Sequence, residues 1–178
     1  MKTLASHMNE ALKISKDISK FSSYSCQPKT REELKDLIKK RIAQEGFECD
    51  LNDIDTSLIT DMSYLFYKSY FNGDISKWDV GNVKNMVGTF YLSKFNQDIS
   101  NWDVSKVEDM RNMFYLSKFN QDISRWNVSN VKSMVSMFSN TKFNHDISNW
   151  NVNKDCATSG IFLNCPIKNE FKPKILQQ

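Results

Sequence analysis

The chain has 178 residues, 40% of them hydrophobic and 25% charged, and carries a formal net charge of +3. A chain of this size and balance makes one modest globular body and not a multidomain enzyme. Its small charge excess is dispersed, with residues 1–58 balanced and Lys168, Lys172 and Lys174 supplying most of it. That excludes the basic stripe that nucleic-acid binding needs.

In residues 1–28, Leu4, Met8, Ala11 and Leu12 share a helical face, which predicts a small amphipathic helix followed by a linker from Ser22 to Pro28. No uninterrupted apolar core of about seven residues occurs there, so an export signal is not expected. No run anywhere is long enough to insert into a membrane.

Residues 29–58 read as a helical cap. Thr30 stands where a helix N-cap belongs, Glu33 follows three residues later, and Leu34, Leu37, Ile38 and Ile42 form one apolar stripe that stops at Gly46. That stripe has no partner within its own segment. A helix of about fourteen residues, with Phe47 and Leu51, is therefore expected to cover the first exposed unit of the array that follows.

Residues 59–165 are a tandem array. Trp78, Trp102, Trp126 and Trp150 stand 24 residues apart, Phe71, Ile75 and Val80 each open a column with the same step, and Ile59, Met62 and Phe66 open those of Val83, Met86 and Phe90. A period of this length with fixed apolar columns is the signature of stacked coils, none of which can bury its apolar face alone. The spacing Ile99-x-x-Trp102-x-Val104-x-x-Val107 resembles the frame of leucine-rich repeats. The alternation Trp102-Asp103-Val104 predicts a short strand, and the spacing of Val107, Met110 and Phe114 predicts one face of a short helix. The expected fold is thus α/β, a right-handed leucine-rich-repeat-type solenoid of four to five coils with parallel strands and an N-terminal helical cap. Residues 166–178 read as a C-terminal cap and tail.

The polar columns repeat as well. Asn72, Asn96, Asn120 and Asn144 are expected to form a ladder whose amides bond the backbone of the adjacent coil. Asp74, Asp98, Asp122 and Asp146, each two residues before a serine, suit Asx-turns. A row of calcium sites is the alternative, disfavoured because the glycine-rich spacing of calcium-binding repeats is missing. The four cysteines, Cys26, Cys49, Cys156 and Cys165, include no C-x-x-C pair, so no zinc site is expected. They fit either two bridges, Cys26 to Cys49 and Cys156 to Cys165, or free small thiols.

His7 and His145 are the only histidines, and no nucleophile elbow, phosphate-cradling glycine loop or H-E-x-x-H occurs. An enzyme is not expected, nor a cofactor or metal. The tyrosines and phenylalanines fall mostly in repeat columns and are read as core. If the Ile, Trp and Val columns point inward, then Lys77, Asn101, Arg125 and Asn149, with Asp79, Asp103, Asn127 and Asn151, face outward as two ladders. They are the candidate binding residues for a protein or a glycan. The alternative is that both ladders are only solvated.

The pattern running from Met113-Phe114 through Phe119-Asn120, Asp122-Ile123-Ser124, Trp126 and Val128 to Val131 resembles the repeats of BspA-like leucine-rich-repeat surface proteins of bacteria, related to repeats of mycoplasma lipoproteins. The likeness covers residues 59–165, and the helix from Pro28 to Glu45 resembles the segment that precedes such repeats. It implies a non-catalytic binding protein at the cell surface or outside the cell, of the adhesion type, although the sequence shows no signal peptide or lipobox cysteine. Met1-Lys2-Thr3 with Asn9-Glu10-Ala11 also resembles the capsid-targeting segment of internal head proteins of large tailed phages. That likeness implies instead a cytoplasmic or virion-associated repeat protein, used as a binding or structural component.

Overall fold

The computed structural model of the chain describes residues 24–177. The amphipathic helix expected at Leu4 to Leu12 and the phage-like segment at Met1 to Ala11 lie outside them.

One α-helix occurs among the described residues, α1, spanning Arg31–Glu45. The Thr30 hydroxyl accepts from the Glu33 N–H at 3.2 Å, and the Glu33 carboxylate accepts from the Lys29 N–H at 2.7 Å, so two free donors at the helix start are satisfied. The helix stops at Gly46, whose φ of 91° suits a residue without Cβ and whose N–H reaches the Ile42 carbonyl at 2.9 Å. Leu34 and Ile38 are buried in the core shared with the coils. At the polar edge, the Arg31 guanidinium donates to the Ser63 hydroxyl at 2.7 Å, and Arg41 bridges Glu45 at 2.6 Å and Asp53 at 2.8 Å.

The repeats stack in register. Isolated parallel bridges join Asp61 to Asn85, Asn85 to Asp109, Asp109 to Ser133 and Ser133 to Ala157, each one repeat further along. Between these bridges the backbone divides its donors in a regular way. The N–H groups of Met62, Tyr64, Phe66 and Lys68 donate upward to the carbonyls of Asn85, Val87, Thr89 and Tyr91, each at 2.9 Å. The intervening N–H groups of Leu65, Tyr67 and Ser69 donate back within the coil to Met62, Tyr64 and Phe66, at 3.1–3.3 Å. The next coils repeat the pattern, so the buried backbone is satisfied by alternating neighbour and self.

This arrangement overturns the expected fold class. Among the described residues there is no strand and no sheet: Trp102–Val104 is irregular chain, and Val107–Phe114 holds one isolated bridge at Asp109 followed by turns, so the protein is not an α/β solenoid of sheet-bearing coils. For the expected helix the reason lies in two recurrent left-handed positions. Tyr64, Gly88, Asn112, Ser136 and Gly160 have φ of 53–64°, and Lys68, Leu92, Leu116, Asn140 and Asn164 have φ of 54–58°. A left-handed residue ends both an extended run and a right-handed helix. Two in each coil convert the segment into consecutive turns, whose apolar spacing of three and four imitates a helix.

The core is a set of aromatic stacks. Phe66, Phe90, Phe114, Phe138 and Phe162 stack coil on coil with centroids 5.4–5.8 Å apart. Phe71, Phe95, Phe119 and Phe143 do so at 6.3–6.5 Å, interleaved with the first set at 4.1–4.9 Å. Each indole N–H donates to a carbonyl of the preceding coil, Trp102 to Ile75 and Trp126 to Ile99 both at 3.1 Å. The buried tryptophans thus leave no unmatched donor. Gly73 marks a close approach, since a Cβ there would meet the Cys49 carbonyl oxygen at 2.0 Å.

At the C-terminal end, the single-turn 3-10 helices Asn169–Phe171 and Lys174–Leu176 lie against the last coil, with the Ile147 N–H donating to the Phe171 carbonyl at 2.9 Å. All four cysteines are free, and neither bridge considered from the sequence is formed. Burial raises the Cys49 and Cys165 thiols above their usual range.

Candidate binding site

The stacking brings all eight sequence-predicted binding residues to the surface. Lys77, Asn101, Arg125 and Asn149 are exposed immediately before the buried tryptophans, and Asp79, Asp103, Asn127 and Asn151 immediately after them. The surface that carries them is built of turns, so the predicted sheet face is replaced by a face of stacked loops.

Several of these side chains also hold their own turns. The Asp79 carboxylate accepts from the Gly81 N–H at 2.9 Å, Asp103 from Ser105 at 3.0 Å, and Asn127 from Ser129 at 3.2 Å. Ser105, through its side chain and its N–H, keeps the Asp103 carboxyl below the usual aspartate range. The Asn149 amide donates to the Ser124 carbonyl at 3.1 Å. Neither Lys77 nor Arg125 forms an ion pair among the described residues, and both are long cations this face offers to solvent.

Beside this face runs the asparagine ladder. The Asn72 amide oxygen accepts from the Asn96 N–H at 2.8 Å, Asn96 from Asn120 at 2.7 Å, and Asn120 from Asn144 at 3.1 Å. Gln97 and Gln121 donate to the Asn72 and Asn96 carbonyls, both at 2.9 Å, and His145 takes the same place with its Nε2 at 3.0 Å from the Asn120 carbonyl. The aspartates form the Asx-turns: Asp74, Asp98 and Asp122 each accept the N–H two residues on at 2.8 Å, and Asp146 does so at 2.9 Å. The Ser124 N–H, helped by the Ser124 hydroxyl and by His145, holds the Asp122 carboxyl below its usual range. A shallow depression of about 360 Å³ is lined here by Asp122, Ser124, His145, Asp146, Ser148 and Asn149. Among the described residues, no group of three or more His, Cys, Asp or Glu is placed to hold a metal ion.

A second surface was not anticipated. The phenylalanine columns are core, as read from the sequence, but Tyr64, Tyr67 and Tyr70 are exposed and Tyr91 and Tyr115 half-buried. Tyr67, Tyr91 and Tyr115 form a surface ladder with centroids 5.4 and 4.9 Å apart. Tyr64 meets Tyr67 edge-on at 5.9 Å and lies over Gly88, where a Cβ would come within 2.4 Å of its ring. The sequence signal was an irregularity: this column is tyrosine three times and then becomes Ser139, whereas the phenylalanine and tryptophan columns of the core do not change.

No curated protein and no solved structure matches the chain. The family model described as a Mycoplasma protein of unknown function, DUF285, matches twice, over residues 33–118 and over residues 95–170. The two matches overlap within the array, as a tandem repeat requires, and together run from α1 to the C-terminal 3-10 turns. The chain therefore belongs to this repeat-containing Mycoplasma protein family, DUF285.

Proposed function

We propose that the chain is a non-catalytic binding module of the BspA-like kind, displayed at the cell surface, that recognises a protein or a glycan through its exposed repeat columns. The observation that carries this reading is the division of labour within each coil. The backbone meets its own needs between coils and the aromatic columns barely vary. The exposed column meanwhile changes from Lys77 to Asn101 to Arg125 to Asn149 with no effect on the stacking. A scaffold that holds a row of interchangeable side chains at fixed spacing is suited to recognition. The F-N-x-D-I-S-x-W repeat, similar to that of bacterial surface proteins, supports display outside the cell.

The test contrasts two neighbouring residues. Arg125→Glu should weaken capture of the partner and leave the melting temperature unchanged, whereas Trp126→Ala should unfold the array. Partner binding that survives Arg125→Glu combined with replacement of Asp103 and Asn127 removes this face from the site. Fractionation of the native source, with the intact chain found only in cytosol, would remove surface display.

A further inference from the structure

Leu92 and Leu116 occupy left-handed positions, with φ of 58° and 54°, and Leu116 is 44% exposed. A bulky aliphatic residue in this conformation is strained, and asparagine is the non-glycine residue that tolerates it best. The same protein shows that the fold accepts asparagine there, because Asn140 and Asn164 take the equivalent place with φ of 56° and 54°. Likewise Ser139 replaces the ladder tyrosine one coil after Tyr115 and is buried. The folded backbone therefore does not require the leucines or the tyrosines where they stand. They are exposed or half-buried apolar groups, in part at strained positions, gathered on the first three coils, and strain retained without benefit to folding points to recognition.

The surroundings say what is recognised. Lys94, Lys118 and Lys142 form an exposed column beside the strip, and none of them, nor Lys68, has an acidic ion-pair partner among the described residues. The Lys68 ammonium sits 5.1 Å from the Tyr67 ring centre, and Lys94 sits 5.9 Å from that of Tyr70. An apolar and aromatic centre with a cationic rim fits a partner that is acidic around apolar anchors. The ring faces of Tyr91 and Tyr115 are turned onto each other, 20° from parallel, which takes away flat face on which a sugar would stack. A second copy of this chain, at net charge +3, is a poor electrostatic match. So are the chain's own first 23 residues, with Lys2, Lys13, Lys16 and Lys20 against Glu10 and Asp17.

We propose that the strip of Tyr64, Tyr67, Tyr91, Tyr115, Leu92 and Leu116, with its lysine column, docks an acidic polypeptide segment carrying apolar side chains. This inference rests on the binding-module reading and adds the tyrosine strip as a second docking surface beside the Arg125 face. The probes are labelled twelve-residue peptides that alternate Glu or Asp with Leu or Phe, matched peptides with Lys in place of the acids, and uronate oligosaccharides. Fluorescence anisotropy on the full chain should show binding of the acidic peptides alone, weakened by salt. Leu92→Asn with Leu116→Asn should lower the affinity about tenfold or more while the melting temperature holds or rises. Tyr91→Ser should lower the affinity too, and Lys154→Glu, a charge reversal at an exposed lysine outside the strip, should leave peptide binding unchanged. Equal binding of acidic and basic peptides, preferential binding of the uronates, or an affinity untouched by the leucine pair would each overturn the inference. If Arg125→Glu alone weakens peptide binding, the site is the polar face: the strip is then excluded and the binding-module reading stands. Absence of peptide binding also overturns the strip, and that reading is then decided by the Arg125 contrast with the native partner.

Discussion

Single side chains here do one of two jobs, and the difference sets what each substitution costs. Trp126 is 3% exposed, lies 6.5 Å from Trp150 and donates to the Ile99 carbonyl. Trp126→Ala should therefore cost about 3–5 kcal/mol in denaturant titration, because it leaves a cavity and an unmatched carbonyl. Asn120 is exposed, and water can replace its amide at the Asn144 N–H, so Asn120→Ala should cost only about 0.5–1.5 kcal/mol. The turn aspartates give the fold an acid dependence. The Asp103 and Asp122 carboxyls lie below their unfolded values in the folded chain, so their contribution is complete above the unfolded pKa and is lost as pH falls through the lower, folded one. Thermal melts should be flat above about pH 5 and decline below about pH 4. Asp103→Asn with Asp122→Asn should reduce that decline, since Asn127 already makes the same turn without a titrating group. These roles were open to reading from residue type and spacing, because an asparagine ladder and an Asp two residues before a serine have only a few ways to be satisfied.

Elements were legible unevenly, and physics explains which. The Thr30 and Glu33 cap signals, the stripe and the Gly46 stop are local, so α1 stands where the sequence placed it. The coils' backbone was not legible. Periods of two and of three to four are produced equally by a strand, a helix or a run of turns, and nothing in the letters of Tyr64, Leu92 or Leu116 announces a left-handed φ. Each such bulky residue costs about 1–2 kcal/mol that only the stacked structure can offset. Of the linker assigned to Ser22–Pro28, the described part from Tyr24 onward proves to be attached. Cys26 bridges to Ile54, its carbonyl accepts from the Asp55 N–H at 2.8 Å, and the Ser25 N–H reaches the Asp53 carbonyl at 2.6 Å. A chain beginning at Lys29 should consequently melt lower than one beginning at Tyr24. A chain beginning at Ile59, which loses α1 and its buried Leu34 and Ile38, should aggregate on light scattering. Equal melting of the first two chains would show that the added rung contributes nothing.

As a whole the molecule is one-dimensional: each coil touches the coil before and the coil after, and both ends are covered by non-repeating chain. Because Asp61, Asn85, Asp109, Ser133 and Ala157 bridge in an unbroken series, duplicating residues 95–118 should insert one more coil in register. The longer chain should fold, melt higher and unfold with a larger denaturant slope, since every added interface contributes more than the coil's own ordering removes. A lower melting temperature would mean that the end pieces recognise particular coils. The direction of the inter-coil bonds has a mechanical consequence. They run from coil to coil, along the line joining the two ends of the stack. Tension applied between those ends passes through every interface in series, and because an end coil has only one neighbour the stack should come apart from its ends as a zip does, one coil per event. Each event would pay out 24 residues, about 80 Å of extended chain. A molecule tethered at one end and gripped at the other would lengthen in steps and take up a sudden pull before its grip failed.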